Sequence, residues 1–356
     1  MIACSSPSSI PTQFDAIERM PVRTVLVHGQ RIAYLDVGAG PPVILIHGFG
    51  GSMWQWEYQQ HQLSQHFRVL TLDMIGSGLS AKPDIAYTPH ELVDFLREFM
   101  DVLEIKQASL VGNSLGAGIA IGLALDHPQL VDRLVLISGF PDRVEERLAS
   151  PLFKRALKTN APVWLAWIGN WLFGRSLTET VLEEIVYDKT LLTPAVVERS
   201  YQNRKRGGYI APQMAVVKNL PAWENGYAKR LGEIRQQTLI IWGTEDRVFP
   251  PTVADDLVRQ IPTATLHKIS DTGHIPQWEQ PTLANHIITE FLTREATSQG
   301  EENMPLMNSL ACSTRTGAII DPITLETTVE KAILGVGHSG SSFASVWKSE
   351  MAFKFD

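Results

Sequence analysis

Short apolar runs alternate with helical stretches along the chain from about residue 22 onward. Two β-branched segments flank the pair His28 and Gly29, which predicts two strands joined by a tight turn. Six nearly continuous apolar runs follow, beginning at residues 43, 68, 108, 133, 238 and 264. Strands that are buried on both faces have this unbroken pattern, whereas half-buried strands alternate with polar residues. The pattern therefore predicts an α/β fold with helices on both faces of a mostly parallel sheet and an antiparallel start.

The alternation stops between about residues 142 and 233, where the sequence predicts several helices with loops and no strand. This segment is rich in aromatic residues, and aromatic positions at helical spacing are usually packing positions. An insertion between two sheet strands is also where a lid over a pocket would lie. We therefore predict four regions: an N-terminal extension (1–21), a core (22–141 and 234–296), a helical cap (142–233) and a C-terminal extension of unassigned role (297–356).

Composition and charge narrow the class of protein. The 356 residues are 44% hydrophobic and 19% charged, and the formal net charge is -7, which argues against nucleic acid as the main partner. The basic run at residues 204–206 is interpreted as a solvated helix end. The two cysteines, Cys4 and Cys312, form neither a disulfide framework nor a metal-ligand spacing, which favours a reducing compartment.

The first 20 residues lack the basic and apolar regions of a signal peptide. The longest apolar tract, residues 161–173, is interrupted by Gly169 and Asn170 and is too short to span a bilayer. We expect a cytoplasmic protein without an integral membrane segment. No phosphate-binding loop, dinucleotide fingerprint or metal cluster is present in the sequence, so we expect no cofactor and no metal.

A polar pair interrupts the apolar run that begins at residue 108. Gly112, Ser114 and Gly116 form a Gly-x-Ser-x-Gly pattern directly after a predicted strand and before a helix of small residues. This context is typical of a nucleophile elbow, in which a sharp turn exposes the serine hydroxyl at the edge of the sheet. A similar segment around Ser339 lacks both the second glycine and the preceding strand. Ser114 is therefore the candidate nucleophile.

A serine hydroxyl needs a base, and the base needs an orienting carboxylate. His274 follows the last predicted strand in a glycine-containing loop, at the same sheet edge as Ser114. Asp246 follows the strand that begins at residue 238, with Glu245 and Asp142 as alternatives for the carboxylate. The order Ser, Asp, His is that of α/β enzymes with this elbow. The sequence predicts a triad of Ser114, Asp246 and His274.

The loop after the strand at residue 43 is rich in glycine, so its backbone N–H groups can point inward. We predict that the N–H groups of Phe49 and Leu115 form an oxyanion hole, and that His47 supports the loop instead of acting as a base. Four residues are expected to bind substrate: Trp164, Trp167, Val248 and Ile275.

Five segments carry a resemblance to a known superfamily. In order, HGFGGSMWQW, LDMIGSGLSAKP, VGNSLGAG, WGTEDRVFP and DTGHIPQWEQP resemble the α/β-hydrolase fold superfamily, in particular its capped branch of serine hydrolases, over about residues 22–294. The resemblance implies an eight-stranded sheet whose second strand is antiparallel, with a helical cap between strands six and seven.

The resemblance also narrows the reaction. Epoxide hydrolases and haloalkane dehalogenases of that branch use an aspartate nucleophile, which Ser114 argues against. Hydrolases of ring-cleavage products usually have a Gly-Pro-Gly-like loop where this chain has Phe49, Gly50 and Gly51. We therefore expect a serine hydrolase of small hydrophobic carboxylic esters. The alternatives are a C–C bond hydrolase with the same triad and a binding or receptor protein with little turnover.

Overall fold

A computed structural model describes residues 20–158 and 161–294 of the chain. Eight strands form one sheet in the order β1-β2-β4-β3-β5-β6-β7-β8. Strand β2 is antiparallel to both of its neighbours, β1 and β4, and all other pairs are parallel. The strands are β1 Arg23–Val27, β2 Gln30–Val37, β3 Pro42–Ile46, β4 Arg68–Leu72, β5 Ala108–Asn113, β6 Val131–Ile137, β7 Gln237–Gly243 and β8 Ala264–Ile269. The predicted fold class, with its eight strands and antiparallel start, is confirmed.

Helices connect the strands and cover both faces of the sheet. In chain order they are α1 Glu57–Leu63, α2 Pro89–Val102, α3 Leu115–Asp126, α4 Val144–Arg147, α5 Pro151–Lys158, α6 Val163–Ile185, α7 Pro194–Lys205, α8 Ile210–Lys218, α9 Leu220–Gly226, α10 Thr252–Gln260, α11 Pro276–Glu279 and α12 Pro281–Thr293. Short 3-10 helices lie at Met53–Trp56, Pro128–Leu130, Lys189–Leu191 and Ala228–Glu233.

Alternate residues of the central strands belong to two different hydrophobic clusters. Ile44 and Ile46 of β3 pack with residues of α2 and α3 on one face of the sheet. Val43 and Leu45 of the same strand pack with residues of α1 and α12 on the other face. Since successive side chains of a strand point to opposite faces, a strand covered on both sides must be apolar throughout. This is the physical reason for the continuous apolar runs in the sequence.

Helix α3 directly follows β5 and lies in the interior of the protein. Residues 115–125 of this helix are all buried, so it has no polar face. Small residues allow it to approach its neighbours closely; a Cβ atom added to Gly122 would lie 2.5 Å from Cγ2 of Val93 in α2. The row of small residues after Ser114 therefore reflects close packing of α3 against the sheet and α2.

The chain between β6 and β7 contains helices α4 to α9 and, among its described residues, no strand. Part of this segment is continuous with the main core: Leu220, Trp223 and Tyr227 belong to the same hydrophobic cluster as α2 and α3. The helical content matches the expectation for residues 142–233. The proposed bounds of core and cap stay a prediction.

The chain divides into two units, Met1–Thr297 and Ser298–Asp356. All of the second unit lies outside the described residues. The predicted C-terminal extension (297–356), with Ser339, also lies outside them. The predicted N-terminal extension lies outside them as well, except for residues 20 and 21.

Candidate active site

Ser114 lies at the turn between β5 and α3 with a backbone conformation of φ 52° and ψ -116°. Residues other than glycine seldom adopt such positive φ values. The glycines on either side are required by close backbone contacts. A Cβ atom at Gly112 would lie 2.4 Å from the Gly116 carbonyl oxygen, and one at Gly116 would lie 2.2 Å from the Ile46 carbonyl oxygen. The Gly-x-Ser-x-Gly pattern thus forms the sharp turn of a nucleophile elbow.

His274 and Asp246 form a buried hydrogen-bonded pair after β8 and β7. The distance from His274 Nδ1 to Asp246 Oδ2 is 2.8 Å, and both side chains are less than 10% exposed. The other carboxylate oxygen, Oδ1, accepts the backbone N–H groups of Val248 and Phe249 at 2.8 and 3.0 Å. These bonds fix the carboxylate, which leaves His274 Nε2 as the ring nitrogen available for a proton from the nucleophile. Ser114 and His274 line the same cavity.

The two alternative carboxylates are placed elsewhere. Glu245 is exposed on the loop beside Asp246. Asp142 forms an ion pair with Arg147, with 2.9 Å between its Oδ1 and the arginine Nε. Of the three candidates for the orienting carboxylate, Asp246 is the one that contacts His274.

The glycine-rich loop after β3 borders the same cavity. Phe49 and Leu115, whose N–H groups are the predicted oxyanion hole, both line it. The first N–H groups of an α-helix have no intrahelical acceptor, and Leu115 is the first residue of α3. The role of these two N–H groups as an oxyanion hole stays a prediction.

His47 holds the loop in place. Its Nδ1–H donates to the carbonyl oxygen of Gly48 at 2.8 Å, and its Nε2 accepts the backbone N–H of Met74 at 3.1 Å. Burial lowers the pKa of His47, against the opposing effect of the nearby Asp73 carboxylate. Because both ring nitrogens are occupied, His47 supports the loop and is not placed to act as a base.

Two amide side chains connect the separate loops, and the sequence reasoning missed both roles. Asn113 Nδ2 donates to the carbonyl oxygens of Ile137 and His274 at 3.2 and 3.1 Å. Asn113 Oδ1 accepts from Gln55 Nε2 at 2.9 Å, and Gln55 Oε1 accepts the backbone N–H of Gly48 at 3.0 Å. The residue before the nucleophile thereby fixes both the histidine loop and the glycine-rich loop.

Glu279 is a second unexpected anchor of the histidine loop. Its Oε1 accepts the N–H of Gly273 at 2.7 Å, and its Oε2 accepts the N–H groups of Tyr187 and Asp188 at 2.7 and 3.1 Å. The His274 N–H itself donates to the carbonyl oxygen of Ile185, the last residue of α6. Burial raises the pKa of Glu279, while the three backbone donors act in the opposite direction. The chain beyond α6 and the histidine loop are thus held together by one carboxylate.

A cavity of about 230 Å³ lies over Ser114, and most of its lining is apolar. Residues from the segment between β6 and β7 cover it, including Leu157, Leu182 and Leu220. Val248 and Ile275 line the cavity, as expected for substrate-binding residues. Trp164 and Trp167 do not line it; they are 64% and 58% exposed, so the expectation that they bind substrate there is wrong. Aromatic residues at helical spacing indicate an apolar side of a helix but not whether that side faces a cavity or solvent.

Within the described part of the chain, no group of three or more histidine, cysteine or acidic side chains could hold a metal ion. The helices of residues 20–158 and 161–294 include none that is both long and apolar enough to cross a bilayer. The cytoplasmic location stays a prediction.

Comparison with known proteins places the chain among hydrolases. The chain is 31% identical to a 2-hydroxymuconate semialdehyde hydrolase from a Pseudomonas species, covering 76% of this chain and 93% of the relative. It is 30% identical to a 2-hydroxy-6-oxo-2,4-heptadienoate hydrolase from Pseudomonas putida, covering 77% and 96%. The solved structure of a meta-cleavage product hydrolase from Pseudomonas fluorescens superposes with a TM-score of 0.66 at 28% identity, covering 76% and 97%.

A family model described as alpha/beta hydrolase fold matches residues 41–281, which include Ser114, Asp246 and His274. This match contains six of the eight described strands, β3 to β8. The chain therefore belongs to the alpha/beta hydrolase fold family and is a hydrolase.

Proposed function

We propose that the protein is a serine hydrolase that cleaves a carbon–carbon bond of a ring-cleavage product, a dienoate with a ketone or aldehyde group conjugated to it. The observation that carries the proposal is the placement of Ser114 and the His274–Asp246 pair at one cavity. The relatives add the substrate class, because two of them are hydrolases of 2-hydroxymuconate semialdehyde and of a heptadienoate.

The proposed reaction begins when the enol form of the substrate becomes a ketone: the enol oxygen loses its proton, and the carbon that will depart from the scissile bond gains one. Ser114 Oγ then attacks the remote carbonyl carbon while His274 Nε2 accepts its proton. The oxyanion is stabilised by the N–H groups of Phe49 and Leu115.

When the carbon–carbon bond breaks, its electron pair passes into the conjugated carbonyl system, and the departing carbon takes a proton from His274. Water then hydrolyses the acyl-serine with His274 as the base. In this last step His274 takes a proton from the attacking water and gives it to Ser114 Oγ as the acyl–serine bond breaks, which restores the hydroxyl.

One charged side chain of the cavity fits the carboxylate of such a substrate. Arg204 is the one arginine or lysine among the described residues that lines the cavity. Its guanidinium lies 5.7 Å from the centre of the Tyr209 ring, and its Nε donates to Asn170 Oδ1. An arginine has further N–H donors for a carboxylate, and such charge-assisted bonds are strong. The basic run that the sequence analysis interpreted as a solvated helix end therefore contributes one residue to the proposed site.

Ester hydrolysis, the expectation from the sequence, is the second candidate. The specific observations that favour it are the Phe49-Gly50-Gly51 loop and the largely apolar cavity wall, which suits an uncharged acyl group. An ester requires the same acyl-serine intermediate but no ketonisation step, because its leaving group is an alcohol.

The two candidates are separated by measuring kcat/KM for 2-hydroxy-6-oxo-2,4-heptadienoate and for nitrophenyl butyrate on the same preparation. We expect a preference of about 100-fold or more for the dienoate, and a preference of that size for the ester would overturn the proposal. In Arg204→Met, kcat/KM for the dienoate should fall by about 10-fold to 100-fold because a charge-assisted bond is lost, while the ester reaction should change little.

Ser114→Ala is the control for the nucleophile, with fluorophosphonate labelling of the wild type as an independent readout. If the wild type turns over neither substrate and Ser114 is not labelled, both hydrolase proposals fail and the binding-protein alternative is favoured.

A further inference from the structure

The first half of α6 presents a row of large apolar side chains to solvent. Trp164, Trp167, Ile168, Trp171 and Leu172 follow the spacing i, i+3, i+4, i+7 and i+8, which places them on one side of the helix. Trp164, Trp167 and Trp171 are 64%, 58% and 68% exposed, and the adjacent Phe173 is 65% exposed. The five residues at this spacing are called the apolar face of α6, whereas Phe173 lies on the other side of the helix. Exposed apolar surfaces of this kind usually mark an interaction site.

The surroundings of this face are cationic. No aspartate, glutamate, lysine or arginine occurs in residues 159–174. Just before this stretch, Lys154 and Lys158 lie one turn apart on α5 and are exposed. The protein as a whole carries a net charge of -7, so two neighbouring lysines that directly precede an uncharged aromatic stretch in the sequence form a local exception.

Tryptophan is suited to the boundary between lipid and water, because its ring is apolar while its indole N–H can bind a headgroup oxygen. Among the described residues, none of the three indole N–H groups of this face donates to another residue. Helices that lie in the plane of a membrane combine an aromatic and leucine-rich face with adjacent lysines.

We propose that the apolar face of α6 docks onto the surface of a lipid bilayer, with Lys154 and Lys158 against anionic headgroups. The charge of the two lysines complements that of anionic lipids, and the aromatic side chains enter the interface beside them. The binding does not depend on the reaction proposed above.

The position of the cavity gives this surface a consequence for substrate access. Phe153 and Leu157 of α5 and Leu182 of α6 line the cavity over Ser114. The two helices that would touch the lipid therefore also form part of the cavity wall. Docking would bring the cavity close to molecules dissolved in the bilayer.

The test is sedimentation of the full chain with vesicles of phosphatidylcholine mixed with phosphatidylglycerol. We expect the wild type to bind and the double variant Trp167→Ser and Trp171→Ser to bind at least about 10-fold more weakly, because two exposed indoles are lost from the interface. Leu26→Ser removes an apolar side chain of 64% exposure from β1 and is the matched control that should bind like the wild type. Exchanging both Lys154 and Lys158 for glutamate should weaken binding to the mixed vesicles more than to pure phosphatidylcholine.

Sedimentation and oligomeric state give two results that would overturn the proposal, and the fluorescence measurement below gives a third. One is equal sedimentation of the wild type and the tryptophan double variant. The other is a concentration-dependent dimer in the absence of lipid that the double variant abolishes, since this would assign the face to a second copy of the chain. Acrylamide quenching of tryptophan fluorescence gives a separate readout. Vesicles should protect the wild type and not the double variant, and fluorescence that is already protected without vesicles would show that the chain covers this face itself.

Discussion

The positive φ of Ser114 is a strained backbone conformation, and contacts of the neighbouring residues hold it in place. The two flanking glycines fit against backbone carbonyl oxygens, and the side chain of Asn113 binds the histidine loop and the end of β6. Strain of this kind persists only where neighbouring interactions determine the conformation. The hydroxyl is therefore presented by a rigid turn and does not depend on a mobile loop for its position.

The first prediction concerns the carboxylate that orients His274. Asp246→Asn should keep the N–H bonds from Val248 and Phe249 to Oδ1 but remove the charge that fixes the imidazole tautomer. We expect kcat to fall by about 10³-fold to 10⁴-fold with little change in thermal unfolding. Glu245→Gln, an exposed neighbour, is the matched control and should retain activity. A similar loss in both variants would contradict the assignment of Asp246.

The second prediction concerns the pH dependence of stability through Glu279. Its raised pKa means that the folded protein binds this proton more tightly than the unfolded chain does. The corresponding stabilisation is fully present below the unfolded pKa of about 4.3 and is lost as the pH rises through the folded value. Compared with Glu279→Gln, the wild type should therefore gain free energy of unfolding as the pH falls from neutral through the raised folded pKa of Glu279 towards the unfolded value.

This comparison is made by urea unfolding of both proteins at each pH. Glu290→Gln is a control of opposite sign, because hydrogen bonding to Arg294 lowers the pKa of Glu290. If the wild type and Glu279→Gln lose stability in parallel on acidification, the assigned shift is wrong.

The residues of the candidate site differ in how far the sequence could predict them. Ser114, Asp246 and His274 each follow a strand, and parallel strands bring such positions to one sheet edge; their catalytic roles stay predictions. Gln55 and Glu279 could not be found in this way. Each also binds a partner far away in the sequence, 58 residues for Gln55 with Asn113 and 92 residues for Glu279 with Tyr187, and a glutamine or glutamate in a helix is usually a surface residue.

For single elements, the presence of a strand or helix was easier to predict from the sequence than the direction in which its faces point. The continuous apolar runs identified the strands because burial on both faces leaves a distinct pattern. Residues 142–233 were predicted to contain helices, but aromatic residues at helical spacing have the same pattern whether they line a cavity or face solvent. Trp164 and Trp167 are expected to bind substrate as part of a lid, whereas the structure exposes them.

The third prediction compares two glycines within helices. Gly116→Ala places a Cβ atom 2.2 Å from the Ile46 carbonyl oxygen, which a rigid strand cannot move aside. We expect a loss of about 2 to 3 kcal/mol in the free energy of unfolding. Gly169→Ala in α6 meets no atom within 4 Å and should instead stabilise the protein by about 0.5 to 1 kcal/mol, since alanine favours a helix. Chemical denaturation measures both, and a stabilising Gly116→Ala would contradict the close approach of α3 to β3.

At the level of the whole molecule, a buried ion pair connects the segment between β6 and β7 to α1, one of the helices that cover the sheet. Arg199 of α7 lies 2.8 Å from Glu57 of α1, and their side chains are 12% and 1% exposed. The other oxygen of Glu57 accepts the indole N–H of Trp278 at 2.9 Å, in the helix that follows His274. One carboxylate thus joins α7, α1 and α11.

The fourth prediction follows from this pair. Arg199→Met leaves the Glu57 carboxylate buried without its cation and should lower the free energy of unfolding by about 3 to 5 kcal/mol. Adding Glu57→Gln should restore part of the loss, because the glutamine oxygen still accepts the Trp278 N–H without a buried charge. A double-mutant cycle measured by denaturation checks the coupling. Strictly additive effects would show that the two residues do not stabilise each other.

The shared hydrophobic cluster of α3 and the helices before β7 also limits how this protein can be recombined with its relatives. Trp223 and Tyr227 pack where α3 lacks side chains, at Gly118 and Gly122. A chimera that imports the whole insertion from a homologue would leave voids or collisions at these glycines unless α3 were exchanged with it. The insertion between β6 and β7 and helix α3, which follows Ser114, should therefore be exchanged together when this chain is engineered.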